Sequence, residues 1–219
     1  MRHGYTNHTV GDGSHVRKTY EGPDAGPRLA RERELLACLA GELPVPPVLA
    51  ADEGSLTLAL LPGRPGQDLL DEGHAAEVLA ACGTLLGRIH RLRPATPALG
   101  PGQVLVHGDF GPNNVLLDPA TRQVTAVLDW EFAHPGAPVE DLAWCEWIVR
   151  MHHPGHRPAL RDFFAAYDGP VPVPAWAERR AAMLTRCAEL ERFCERWAPG
   201  GPASRQWRDR VAATAAWTE

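Results

Sequence analysis

The sequence predicts an α+β chain of two lobes: a small β-rich lobe first, then a larger, mainly helical one. Three observations carry this. The first 60 or so residues read as short strands around a single helical stretch. A Pro/Gly-rich connector, LPGRPG, follows at residues 61–66. Beyond residue 139 the apolar spacing is helical almost to the end. The lobes are therefore placed at residues 1–62 and 63–219.

Residues 3–20 read as a hairpin, HGYTNHTV and SHVRKTY flanking the turn-forming Gly11-Asp12-Gly13. Residues 27–40 read as a helix. Pro27 suits its first turn, Leu29, Leu36 and Leu39 recur at helical spacing, and Gly41 suits its stop. Strands are expected around 47–50 and 55–61, separated by Asp52-Glu53-Gly54. After the connector, residues 73–93 read as a helix with Val78, Leu79, Cys82, Leu85, Leu86 and Ile89 on its apolar stripe. A Pro/Gly-rich loop at 94–102 leads to short apolar strands at 104–106, 115–117 and 124–128. Helices follow, interrupted near Pro154-Gly155, at 169–174 and at 199–202.

Composition narrows the classes of function. The chain has 219 residues, 44% of them hydrophobic, and no apolar run long enough to span a bilayer. The N-terminus lacks the apolar segment of a secretory signal. A net charge of −5 without a basic block argues against a nucleic-acid binder. Five cysteines, none in a CxxC pair, suit reduced thiols and a cytoplasmic location better than a disulfide framework. Of 22 basic residues only Lys18 is a lysine, so an arginine-biased composition explains the missing lysines but not the one that remains.

The chemistry concentrates in VLVHGDFGPNNVLLDPATRQVTAVLDWEFAHPGAPVEDLAW, residues 104–144. Asp109 follows a strand end and Asn114 lies five residues on. Centring the next hairpin near residues 121–122 puts Asn114 opposite Asp129, where an amide oxygen and a carboxylate can share a hard cation such as Mg²⁺. Asp109 then reaches the same cleft as a free carboxylate. That trio suits phosphoryl transfer, which needs a metal on the phosphate oxygens and a carboxylate at the acceptor hydroxyl. It also needs a cation on the nucleotide phosphates, and Lys18 is the natural candidate. An acid on the next helix, Glu32 or Glu34 of the RERE run, would hold that lysine; Glu32 is preferred because Leu36 and Leu39 then fall four and seven residues later.

HGDFGPNN followed by LDWE resembles the catalytic core of the aminoglycoside phosphotransferase and choline kinase family, which has a two-lobed protein-kinase-like fold. The resemblance covers nearly the whole chain. It implies Asp109 as catalytic base or orienter, Asn114 and Asp129 as Mg²⁺ ligands, and ATP or GTP as co-substrate. His107 and Asp141 would be structural. Lys18 and Glu32 would serve the nucleotide, with Tyr5, Thr6 and Asn7 of GYTN as the nucleotide loop. LPVPPVL at 43–49 and LGRIH at 86–90 extend the match. Almost nothing precedes Gly4, so the first strand of the small lobe reads as truncated.

The expected activity is transfer of a γ-phosphate to a small-molecule hydroxyl, with no nucleic-acid or membrane partner. The acceptor stays open between an antibiotic and a metabolite such as an amino alcohol or sugar. Residues 139–219 hold 11 acidic and 11 basic residues, and a polycationic aminoglycoside would favour an acidic excess there. A nucleotide-binding pseudokinase and a metal-dependent hydrolase are the rival readings. His152, His153 and His156 read as an exposed loop, and the tryptophans and Cys187 and Cys194 as packing residues.

Overall fold

The computed structural model describes residues 7–219. Tyr5 and Thr6 lie outside the described residues.

The chain begins with β1 (Asn7–Gly11) and β2 (His15–Tyr20), an antiparallel hairpin whose turn is tied by Asp12, which accepts from the backbone N–H groups of Ser14 and His15. Helix α1 (Ala25–Leu39) buries Leu35, Leu36 and Leu39 and ends at Gly41, whose φ of 85° a side chain would resist. β3 (Val48–Asp52) and β4 (Ser55–Ala59) complete an antiparallel sheet of order β1-β2-β4-β3.

The connector does more than link. Its β5 (Arg64–Pro65) pairs antiparallel with β7 (Val115–Leu117), and a short α2 (Gly66–Leu69) starts at once. Gly66 is required there, because a Cβ would lie 2.9 Å from the Pro112 carbonyl oxygen. A wide turn at Leu70–His74 leads into α3 (Ala75–Arg91). The α3 stripe named from sequence is the core of the larger lobe: Val78, Leu79, Cys82, Leu86 and Ile89 are fully buried and Leu85 nearly so.

β6 (Val104–Val106) pairs with β9 (His134–Gly136), and β7 pairs with β8 (Val124–Val127). The sequence did not announce β9, since Pro135 in a three-residue segment reads against a strand. Helices α4 (Pro138–His152), α5 (Leu160–Ala166), α6 (Trp176–Trp197) and α7 (Pro202–Ala215) complete the larger lobe. They enclose a second apolar cluster around Trp144, Trp147, Met183, Cys187, Phe193, Cys194 and Trp207. Trp197, expected to pack, is 38% exposed.

The lobes are joined by more than the connector. The Val127 N–H donates to the Pro44 carbonyl at 2.8 Å, and Arg31 of α1 donates to the Glu131 carbonyl at 2.8 Å.

The β7–β8 register differs from the sequence expectation. Val115 faces Val127 and Leu116 faces Ala126, but Leu117 faces Val124 across a bulge. The cause is the turn, where Asp118 accepts from the Ala120 and Thr121 N–H groups and Arg122 takes a left-handed φ of 59°. Asn114 therefore faces Leu128, whose N–H donates to the Asn114 carbonyl at 2.8 Å, and not Asp129.

Packing of α3 on α5 depends on a close approach at Gly83, where a Cβ would sit 2.2 Å from the Phe163 carbonyl oxygen. Gly83→Ala raises helix propensity yet should destabilise the fold by about 1–3 kcal/mol through overpacking. Urea denaturation of the two proteins measures this, and a more stable variant would contradict the packing account.

Candidate active site

Lys18 and Tyr20 are two residues apart on β2, so their side chains leave the same face of the sheet, towards α1. Lys18 Nζ lies 2.5 Å from Glu32 Oε2 and 2.5 Å from Asp129 Oδ1. Glu32 also accepts from the Tyr20 hydroxyl and from the Trp130 N–H at 3.2 Å. Glu34 points to solvent. Burial works against the Lys18 charge, but Asp129 and Glu32 outweigh it and hold the ammonium protonated well above its ordinary range.

Asp129, two residues beyond β8, lies in the left-handed region, φ 66°, which turns the chain into a 3₁₀ segment, Trp130–Phe132. Burial raises its carboxyl, yet the Lys18 charge and hydrogen bond bring it below the ordinary value of 3.8. Glu131 follows on this segment and meets a second buried cation, Arg28 Nη1, at 2.5 Å. Burial, then the charge of Asp129, pushes Glu131 up to about 7. Asn7 Nδ2 donates to Glu131 Oε1 at 2.8 Å, so this member of the GYTN run is bound to the carboxylate cluster.

Asp109 sits in a braced loop. Asp141, fully buried on α4, accepts from the His107 N–H at 2.7 Å and the Gly108 N–H at 2.9 Å. His90 Nε2 faces the same carboxylate at 3.2 Å, and His90 Nδ1 meets the Tyr167 hydroxyl at 2.8 Å. His107 Nε2 donates to the Leu128 carbonyl at 2.9 Å, which leaves Nδ1 to accept from the Asp109 N–H at 3.3 Å. Gly108 has a φ of 81°, and a Cβ there would lie 2.5 Å from the Phe132 carbonyl oxygen. Arg186 Nη2 of α6 donates to the Gly108 carbonyl at 2.8 Å.

The Asp109 carboxylate itself accepts from Trp144 Nε1 at 2.7 Å and from Asn114 Nδ2 at 3.0 Å. Burial, then the charge of Asp129, raises its pKa, while the Trp144 bond draws it back. Asn114 Nδ2 also donates to the Asp109 carbonyl at 2.8 Å. The amide oxygen is thus the end left for a cation.

Asp109, Asn114 and Asp129 line one cavity of about 500 Å³, with Glu131, Asp68 and Asp71 also on its wall. Trp144, Trp147, Trp207, Arg186 and Arg210 also line it. His153, expected in an exposed loop, packs instead against Asp71, with Nδ1 2.8 Å from its carboxylate. Among the described residues, the acids close enough to hold a metal as a group are Glu32, Asp129 and Glu131. Lys18 and Arg28 already bind that group.

Sequence reasoning missed Tyr20, Arg28 and Glu131 as site residues and took Trp144 for packing. Three of the four had a local signal: Tyr20 and Glu131 lie two residues after Lys18 and Asp129, and Trp144 one helical turn after Asp141.

Asp141→Asn keeps the side-chain shape and removes the charge from three buried donors. It should cost about 2–4 kcal/mol. Burial raises the Asp141 carboxyl, but His90 and the backbone donors pull it below 3.8. Its contribution is therefore complete above 3.8 and lost as pH falls through the lowered value. Urea melts should show a constant gap between wild type and variant from about pH 5 to 7, closing in stronger acid. A gap that widens on acidification would contradict the assignment.

Comparison with known proteins bears on the family and the fold. The model of the phosphotransferase enzyme family, APH, matches residues 3–102 and 94–184. A GDP complex of aminoglycoside 2'-phosphotransferase-IIIa superposes with a TM-score of 0.72 at 14% identity, covering 99% of this chain and 91% of that one. Macrolide 2'-phosphotransferase MphH from Brachybacterium faecium gives 0.63 at 21% identity, covering 100% and 92%. Among curated proteins, acyl-CoA dehydrogenase family member 11 of Gallus gallus is 45% identical over 42 residues, and family member 10 of Mus musculus 41% identical over 59. Those matches span 19% and 27% of this chain and only 5% of either relative. With the family model matched over most of its length and the two-lobed fold shared with solved phosphotransferases, the chain belongs to the phosphotransferase enzyme family.

Proposed function

We propose that the chain is a Mg²⁺-dependent kinase that moves the γ-phosphate of ATP or GTP to a hydroxyl of a small molecule. The observation that carries this is the division of labour between two aspartates 20 residues apart in the chain and on one cavity. Asp129 is bound by the Lys18 ammonium, whereas Asp109 is held by neutral donors and keeps a raised pKa.

In this reading Asp109 receives the acceptor's proton as the hydroxyl oxygen attacks the γ-phosphorus. The new P–O bond forms, the bond to the bridging oxygen breaks, and nucleoside diphosphate leaves. Trp144 and Asn114 aim the carboxylate. Asn114 Oδ1 and Asp129 form the donor set for Mg²⁺, a hard cation that takes oxygen ligands and neutralises phosphate charge. Lys18 binds the nucleotide phosphates from the other lobe, with Glu32 fixing its position. Tyr5 and Thr6, outside the described residues, and Asn7 would form the nucleotide loop.

The similar solved structures are named for aminoglycoside and macrolide phosphotransfer. An antibiotic is therefore one acceptor class, and an amino alcohol or sugar is another. A cytoplasmic site of action suits the nucleotide and the five free cysteines. No helix among the described residues is long and apolar enough to cross a membrane.

Asp129→Asn should abolish Mg²⁺-nucleotide turnover. Asp109→Asn should leave nucleotide affinity near wild type yet lower kcat by about 10²–10⁴. Coupled nucleoside diphosphate release with nucleotide titrations reads both. Lost nucleotide affinity with retained turnover in Asp109→Asn would mean that the two roles are exchanged.

Lys18→Arg should lose most activity, because a planar guanidinium cannot meet Glu32 and Asp129 as a point charge does. Thermal melts establish folding alongside steady-state turnover. Full activity would reduce Lys18 to a structural ion pair.

A further inference from the structure

The cavity wall carries aromatic rings, several with a guanidinium group already over a face. Arg210 lies 4.4 Å from the Trp207 ring centre and 5.7 Å from that of Trp147. Arg186 lies 5.0 Å from Phe132 and 5.8 Å from Trp144. A cationic acceptor would normally seat on such faces; here it would meet a like charge.

A second cavity, about 290 Å³, adjoins the first and shares Phe132, Arg186, Leu190 and Phe193 with it. It runs between the start of α1 and α6 and is lined by Arg28, Arg31, Arg186 and Arg196 against Asp24 and Glu189. Arg28 is committed to Glu131, and Arg196 pairs with Asp24 at the surface. Arg31 and Arg186 differ: each spends a donor on an uncharged backbone carbonyl, and Arg186 Nε is buried with no partner. Arg186 also meets the exposed Glu189 at 3.3 Å, too loosely to consume its charge.

We propose that the acceptor carries an anionic group, a carboxylate or a phosphate, which seats on Arg186 and Arg31 in the second cavity while its hydroxyl reaches Asp109. The apolar body between them packs on Phe132, Leu190 and Phe193. A guanidinium fork matches either anion in two parallel hydrogen bonds. The proposal rests on the kinase reading for the hydroxyl end and on the two cavities for the anionic end.

The test is a matched set: one hydroxyhexyl chain ending in carboxylate, phosphate, amide or trimethylammonium. Binding is read by tryptophan fluorescence with Mg²⁺ and a non-hydrolysable nucleotide, since Trp144, Trp147 and Trp207 line the first cavity. Turnover is read separately as nucleoside diphosphate release. One anionic member should bind at least about tenfold more tightly than the amide, with the ammonium weakest, and the two anions tell carboxylate from phosphate. Arg31→Gln and Arg186→Gln should each cut the gap to about threefold or less. Arg31→Gln leaves the Gly108 contact intact, so it decides the matter should Arg186→Gln disturb the loop. Equal binding of all four, no binding of any, preference for the ammonium, or a gap that survives Arg31→Gln overturns the anionic site. Selective anion binding without Mg²⁺-dependent transfer would overturn the kinase reading and leave the anionic site standing.

Discussion

The Lys18 ammonium is the point on which the site depends. It is nearly buried, so it must be neutralised where it sits, and its two partners come from different parts of the fold. Glu32 belongs to α1 of the small lobe, and Asp129 to the strand end of the larger one. A single charge therefore sets β2, α1 and the β8 terminus relative to one another. Replacing either acid with a neutral residue would leave the buried cation with one carboxylate partner in place of two. The Tyr20 hydroxyl and the Trp130 N–H satisfy the remaining valences of Glu32, so the pair is held in direction as well as distance.

Among the described residues, three carboxylates meet two cations around that ammonium. Glu32, Asp129 and Glu131 crowd together, and Lys18 and Arg28 are the cations bound to them. The surplus negative charge shows in Glu131, whose carboxyl is pushed up to about 7 despite a guanidinium at 2.5 Å. Burial and Asp129 outweigh Arg28. A site built this way gains from a further cation on its open side. Asn114 and Asp129 face that side, and their oxygens suit a hard divalent ion. Burial first, and then the charge of Asp129, raises the Asp109 carboxyl as well.

The elements that carry periodic apolar stripes were legible in the sequence: α1, α3 and the β1–β2 hairpin fall within a few residues of expectation. So was the Lys18–Glu32 contact, because a fixed spacing joins two adjacent elements. The Asn114–Asp129 opposition was not. Strand register depends on the turn: Leu117 facing Val124 centres the Asp118 turn earlier than the sequence suggests, an offset that the bulge only partly recovers. Residues recruited through tertiary packing were also hidden. Arg28 looks like one more solvated helix arginine until Glu131 is brought to it from 103 residues away. His153 was hidden in the same way, since its partner Asp71 lies 82 residues earlier.

Helix α4 shows how one element can serve both the reaction and the choice of substrate. It is buried on nearly every side, so its orientation is set by packing and not by a solvent-facing stripe. Asp141, Trp144 and Ile148 recur at three- and four-residue spacing on one face. Asp141 braces the His107–Gly108 backbone, Trp144 aims the Asp109 carboxylate, and Ile148 lines the cavity. Trp147, one residue out of phase, stacks 4.4 Å from Trp144 and joins it to Trp207 on α7. The first turn of α4 thus braces the loop that carries Asp109 while the next two shape the wall. A change at Ile148 or Trp207 can alter what the cavity admits while Asp141 and Asp109 stay in register. A change at Trp144 cannot, because that ring is at once a hydrogen-bond donor to the Asp109 carboxylate and the first plate of the aromatic stack.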